Sequence, residues 1–282
     1  MSSDNDFKCG YVAIIGRPNV GKSTLLNHIL GMKLSITSRK PQTTLHQILG
    51  IKTSAHSQSI YVDTPGIHSG GKKAINRYMN RAASSVIFDV DVVLFVVQAL
   101  VWTEDDQMIL DKLKQVEAPV ILVVNKVDTV KEKEMLLPFL QDISNKFNFK
   151  YVMPVSAVKG NNVKQLEEAL TELLPVNPPY YGEDDFTDRS SRFLAAELIR
   201  EKLVRELGDE LPYQSTVEIE TYKEEEKLIR IQAAILVETK GQKAIIIGSK
   251  GGRLKSIGTK ARIEMEKLLG QKVFRSEENT SE

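Results

Sequence analysis

The chain has 282 residues, 41% of them hydrophobic and 27% charged, with a formal net charge of +1. That describes an ordinary soluble protein with room for one large domain and a smaller one, and it excludes a globally basic nucleic-acid coat or a solvating acidic chain. The single cysteine, Cys9, excludes an internal disulfide framework, and the longest apolar stretch, Val90 to Val101, is broken by Asp91 and Gln98 and falls short of the ~20 residues of a spanning helix.

In chain order, Tyr11–Ile15 reads as a buried strand and Thr24–Leu30 has helical period. Between them, Gly16-Arg-Pro-Asn-Val-Gly21-Lys22-Ser23 satisfies the phosphate-loop pattern G-x-x-x-x-G-K-[ST]. Its glycines let successive N–H groups curl toward phosphate oxygens, and the following helix adds the positive end of its dipole. Gly16, Asn19, Val20, Gly21 and Thr24 are expected to line the phosphates, Lys22 to reach the β- and γ-phosphates, and Ser23 to ligate Mg²⁺. A polar loop, Lys40-Pro-Gln-Thr43-Thr44, offers a second hydroxyl for the metal, with Thr44 preferred over Thr43.

The next strand, Ser59–Val62, runs into Asp63-Thr-Pro-Gly66. Asp63 can hold Mg²⁺ through a water, and the Gly66 N–H can bond the γ-phosphate and so sense its presence. Ile75, Tyr78, Met79, Ala82, Ala83 and Val86 share one helix face and read as core packing. Two strands, Asp91–Val97 and Val120–Val124, follow, the second ending in Asn125-Lys126-Val-Asp128; a last strand, Tyr151–Pro154, leads to Ser156-Ala157-Val-Lys159. The Asp128 carboxylate can accept from both guanine N1–H and N2–H₂, Lys126 can lie along the base, and the Ala157 N–H can donate to O6. Adenine has no such donor pair and would leave the carboxylate unpaired, at a cost of about 1–3 kcal/mol or more, so the expected ligand is GTP or GDP. Strands alternating with helices predict an α/β domain with a mostly parallel sheet, over residues 8–175.

Pro175-Val-Asn-Pro-Pro-Tyr-Tyr-Gly182 takes the chain out of regular structure, and a linker is expected over 176–188. Beyond it, a helix from about Ser191 to Leu207, strands Thr216–Thr221 and Leu228–Val237, a short helix after Gln242 and a longer one near Leu254–Leu269 predict a small α+β domain over 189–276, with 277–282 as a disordered tail. Gly248-Ser-Lys-Gly251 places a G-x-x-G turn between the last two helices, where an RNA backbone can approach closely. Lys240 to Arg262 holds seven basic residues and no acidic one, which concentrates positive charge beside that turn. Lys243, Ile247, Gly248, Ser249, Lys250, Gly251, Gly252, Arg253 and Lys255 are the expected RNA contacts, while Ile246, Ile247, Leu254 and Ile257 read as either groove or core.

The five loops together, with GRPNVGKSTLLN, SITSRKPQTT, YVDTPGIH and IIIGSKGGRLKSIG, closely resemble the Era-type bacterial GTPases, and the likeness runs from Gly10 to about Phe274. It implies a P-loop GTPase domain followed by a type II-like KH domain, binding of the single-stranded 3′ end of 16S rRNA, assistance to small ribosomal subunit assembly, and a cytoplasmic monomer with peripheral inner-membrane association left open. Ile67 follows Gly66 and has no group that could orient water; the resemblance suggests a K⁺ held by Asn19, which reads alternatively as a residue that tolerates the loop's backbone geometry. Asn19, Lys22, Thr44 and Gly66 are thus the expected catalytic set, and without a built-in arginine finger the basal turnover is expected to be slow, on the order of 10⁻⁴ to 10⁻² s⁻¹. Two departures stand out: Leu45 occupies a place where the family commonly has arginine, and the chain after Val273 is polar, so the third KH strand reads as truncated or lost. With that strand gone, a GTP-dependent scaffold with a degenerate KH-like domain that binds protein is the competing reading.

Overall fold

In the computed structural model, residues 6–35, 48–63, 87–207 and 215–275 are described. The chain forms two compact units that divide between Asp188 and Arg189.

The first unit is built on a six-stranded sheet in the order β2-β3-β1-β4-β5-β6. Its strands are β1 (Lys8–Ile15), β2 (Ile48–Thr53), β3 (Ser57–Asp63), β4 (Val92–Gln98), β5 (Val120–Asn125) and β6 (Tyr151–Pro154). All neighbours pair in parallel except the antiparallel edge strand β2. The central strands are continuously apolar because helices cover both faces. Val12, Ile14, Leu94 and Val123 pack against α1 (Lys22–Leu30) and α4 (Val163–Leu173), while Ala13, Ile15, Phe95 and Val124 pack against α2 (Glu104–Leu113) and α3 (Leu136–Ser144). Since β1, β3, β4, β5 and β6 run the same way, their carboxyl ends lie along one edge.

Residues 176–188, expected as a linker, lie on the first unit through named bonds. The Gln58 side chain, fully buried, accepts from the Tyr180 and Tyr181 N–H groups (2.8 and 3.0 Å) and donates to the Tyr181 carbonyl (2.9 Å). Further on, Thr187 bridges Gly50 on β2 and the Ile51 N–H donates to the Phe186 carbonyl at 2.9 Å.

The second unit holds α5 (Ser191–Glu206), β7 (Ser215–Glu224), β8 (Leu228–Val237), α6 (Lys240–Ile247), α7 (Gly252–Leu269) and β9 (Lys272–Arg275). The third strand, expected to be truncated or lost, is present as four residues: β9 pairs in parallel with β8 from Leu228↔Lys272 to Ile231↔Arg275, and Val273 is buried in the core. The order is therefore α-β-β-α-α-β, around a core of Leu198, Leu203, Ile229, Ile231, Ile257, Ala261 and Met265. Four residues suffice because the strand needs only one apolar anchor, Val273, and an adjacent strand to pair with.

Candidate nucleotide site and nucleic-acid interface

The phosphate loop leaves β1 at Gly16, whose φ of 153° carries the backbone so close to β4 that a Cβ would stand 2.3 Å from the Val96 carbonyl oxygen. Gly21, at φ 105°, caps α1 without a side chain, and a Cβ there would stand 2.3 Å from Asn125 Nδ2. Both glycines are thus required by neighbouring protein atoms as well as by any phosphate. Lys22 is buried and its ammonium donates to the Gly16 and Arg17 carbonyls at 3.0 and 3.1 Å, curling back over the loop. Burial pushes its pKa down to about 8, opposed by the carboxylate of Asp63. Asn19 is exposed at φ 65°, a left-handed conformation that asparagine tolerates well. Val20 is buried and Thr24 lies in the first turn of α1. Arg17 is held by Asp106 at the start of α2, Nε to Oδ2 3.2 Å.

At the end of β3, Asp63 is fully buried, and burial raises its pKa, with hydrogen bonds from Ser35 and Ser23 and the charge of Lys22 pulling it back. One oxygen, Oδ2, accepts from Ser23 Oγ (3.0 Å) and Ser35 Oγ (2.5 Å). The other, Oδ1, has no hydrogen-bond partner among the described residues. A buried carboxylate oxygen left unpaired beside a serine hydroxyl and a lysine fits the hydration shell of Mg²⁺, an ion that keeps several waters and takes few protein ligands.

The base-side loops are joined to the phosphate loop by one residue. Asn125, 2% exposed, donates from Nδ2 to the Val20 carbonyl (2.8 Å) and accepts at Oδ1 from the Ala157 N–H (3.0 Å). The Ala157 amide, expected to donate to guanine O6, here donates to Asn125. Asp128 is exposed at the site, and Ser156 Oγ, which accepts from the Lys159 N–H, donates to its Oδ1 at 2.6 Å and fixes the carboxylate's rotation. Lys126, at φ 66°, donates to Gln98 Oε1 at the end of β4 (3.1 Å); burial lowers its pKa, and the charge of Arg17 lowers it further.

Comparison with known proteins decides the family. A family model described as 50S ribosome-binding GTPase matches residues 11–126, and a KH domain model matches residues 210–278. The chain is 58% identical to the GTPase Era of Marinobacter nauticus over 267 residues, covering 95% of this chain and 88% of the relative, and 59% identical to that of Pseudomonas aeruginosa over the same shares. The chain belongs to the Era family of GTPases. Among solved structures, Era in complex with MgGDPNP and nucleotides 1506–1542 of 16S ribosomal RNA superposes with a TM-score of 0.89 at 39% identity, over 96% of this chain and 92% of that one. An Aquifex aeolicus Era variant bound to GDP and AlF₄⁻ superposes at 0.90 with 38% identity over the same shares.

In this Era-family chain the G-x-x-G turn follows α6, which Thr239 and Gln242 start with a reciprocal capping box. Gly248, at φ 72°, breaks the helix, and a Cβ there would approach Arg253 Cβ to 2.8 Å. Lys250 sits at φ 50° in the turn, exposed, with Ser249, Gly252 and Lys255 also exposed. Arg253 is also exposed, and its Nη1 donates back to the Ile245 carbonyl at 2.5 Å and closes the end of α6. Ile246 and Ile257 belong to the core, Leu254 packs against it, Ile247 and Lys243 are half-buried, and Ile245, not expected as a contact, is 44% exposed. Of the seven basic residues, Lys260 is paired with Glu206 on α5 (2.6 Å).

Thr44, Gly66, Ile67, Leu45 and the helix expected over 75–86 lie outside the described residues. Sequence reasoning missed Ser35, Gln98 and Asn27, which belong to no nucleotide motif; the only signal was the position of Ser35 and Asn27 within stretches already matched to the family.

Proposed function

We propose that this GTPase is a nucleotide-controlled switch that binds the single-stranded 3′ end of small-subunit rRNA through its KH module and assists small-subunit assembly. The observation that carries the nucleotide half is that the carboxyl ends of β1, β3, β5 and β6 share one edge, with Asn125 bonded to both the phosphate loop and the Ala157 turn. For the RNA half, the support is a basic G-x-x-G turn between α6 and α7 in a unit with a three-stranded sheet, together with the relative solved with 16S rRNA nucleotides 1506–1542.

Lys22 binds the β- and γ-phosphates, and its return bonds to Gly16 and Arg17 carbonyls keep its stem curled until phosphate oxygens displace them. Gly16, Asn19, Val20, Gly21 and Thr24 supply the loop and first turn that face the phosphates. Mg²⁺, when bound, neutralises charge that develops on the β- and γ-oxygens. Ser23 and Asp63 hold it, with Thr44 as the further hydroxyl and the Gly66 N–H as sensor of the γ-phosphate. Asp128 reads guanine N1–H and N2–H₂, oriented by Ser156 and flanked by Lys126. The Asn19 side chain, exposed at the rim, serves a K⁺ that substitutes for an arginine finger. Lys250, Ser249 and Lys255 meet the RNA backbone, and Ile245 and Ile247 meet bases. The site of action is the cytoplasm, where small subunits are assembled.

A gel shift with a short oligonucleotide of the 16S rRNA 3′ end tests the RNA assignment. Binding should weaken with salt, and Lys250→Asp should lower affinity at least about tenfold. No binding at low salt would overturn it and favour the scaffold reading. Initial GTPase rates in K⁺ and Na⁺ at equal ionic strength test the cation; equal rates would remove it.

A further inference from the structure

Asp63 is aimed by a device that lies outside every nucleotide-binding motif. Asn27, on α1, accepts at Oδ1 from the Leu34 and Ser35 N–H groups (2.9 and 2.8 Å) and donates from Nδ2 to the Ser35 carbonyl (2.7 Å). Three hydrogen bonds to one side chain fix the backbone of Leu34 and Ser35, and Ser35 is 1% exposed. Its hydroxyl, so held, meets Asp63 Oδ2 at 2.5 Å. Ser23 approaches the same oxygen at 3.0 Å, while Oδ1 has no partner among the described residues. A carboxylate gripped twice on one oxygen cannot rotate without breaking both bonds, so its second oxygen stays presented in one direction.

We infer that Ser35, clasped by Asn27, is a positioning residue: it locks Asp63 so that Oδ1 is kept for the hydration shell of Mg²⁺, and it thereby sets how strongly Mg²⁺ tightens nucleotide binding. The inference rests on the nucleotide site proposed above and deepens it. Ser23 cannot do this alone, because its oxygen is itself needed by the metal. The Ser35 hydroxyl grips the same oxygen and holds Asp63 while Ser23 Oγ offers its lone pairs to Mg²⁺.

The test is a titration of Mg²⁺ against a fluorescent GDP derivative bound to the full chain, with a parallel affinity measurement in EDTA. Ser35→Ala should raise the half-saturating Mg²⁺ concentration about tenfold or more, the equivalent of one charge-assisted hydrogen bond, while the affinity in EDTA stays within about twofold. Ser35→Thr, which keeps the hydroxyl, should restore the wild-type midpoint. Asn27→Ala should shift the midpoint in the same direction, and the double variant should be no worse than the more severe single one. A Ser35→Ala midpoint within about twofold of wild type would overturn the inference and leave the nucleotide site standing. Equal losses with and without Mg²⁺ would reduce Ser35 to a general structural role. A wild-type protein whose GDP affinity ignores Mg²⁺ would remove the metal site itself, and this inference with it.

Discussion

Asn125→Ala is the most informative single perturbation of the nucleotide site. The side chain bonds the Val20 carbonyl at 2.8 Å and the Ala157 N–H at 3.0 Å, and all three residues are at most 2% exposed. Truncation leaves a buried acceptor and a buried donor unmade, at about 1–3 kcal/mol each, or about 2–6 kcal/mol together. In a unit of this size each kcal/mol corresponds to about 2–4 °C, so the first unit's melting temperature should fall by at least about 4 °C. The loss reaches function because the same residue ties the phosphate loop to the base loops; an untied loop must be ordered by the nucleotide, and GTP affinity should fall at least about tenfold. Thermal unfolding followed by calorimetry reads the first effect, and isothermal titration with GTP reads the second. A melting temperature within about 2 °C of wild type together with unchanged affinity would refute the claim that Asn125 organises the site.

Without magnesium, GDP affinity should fall as pH rises through about 8, because phosphates favour the charged form of Lys22 and burial has brought its pKa down to about 8 from 10.5. The sign for stability is opposite: the folded state binds fewer protons at Lys22 between those values, so this group's burial penalises the native state at neutral pH and less so as pH rises. Titration in buffers of different ionisation enthalpy at pH 8 should show proton uptake. Gln58→Ala should destabilise the first unit by about 1–3 kcal/mol in urea, since it strands the Tyr180 and Tyr181 backbone groups, and a change under about 0.5 kcal/mol would show that residues 176–188 are held by other means. Gly16→Ala should abolish GTP binding even if the protein folds, because the added methyl meets the Val96 carbonyl and moves the loop; retained affinity within about threefold would contradict the close approach.

What the sequence made legible follows from how strongly each feature depends on local chemistry. The phosphate loop needs glycine at two strained positions and a lysine after them, so Gly16, Gly21 and Lys22 announce it in any context. Strand β2 went unrecognised because Gly50 interrupts Ile-Leu-Gly-Ile; the structure gives the reason, since a Cβ there would press to 2.8 Å on Leu30 and 3.0 Å on Leu26 of α1. The four residues of β9, followed by a polar tail, offered too short an apolar run to stand against a reading of truncation, yet pairing with β8 holds them. Gln58 carries no motif, and its bonds to residues 180–181 join positions far apart along the chain. Arg253 has the right charge and spacing for RNA, and only geometry shows that its Nη1 also closes the end of α6. The Ser35 contact likewise depends on Asn27 and Asp63, which three-dimensional packing alone brings to it.

Competitive titration calorimetry with purified protein and magnesium addresses the central claim most directly. GTP and GDP should bind with ATP at least about tenfold weaker, as the cost of leaving Asp128 unpaired requires, and Asp128→Ala should erase the difference. ATP held as tightly as GTP by the wild-type chain, or no nucleotide held at all, would contradict it.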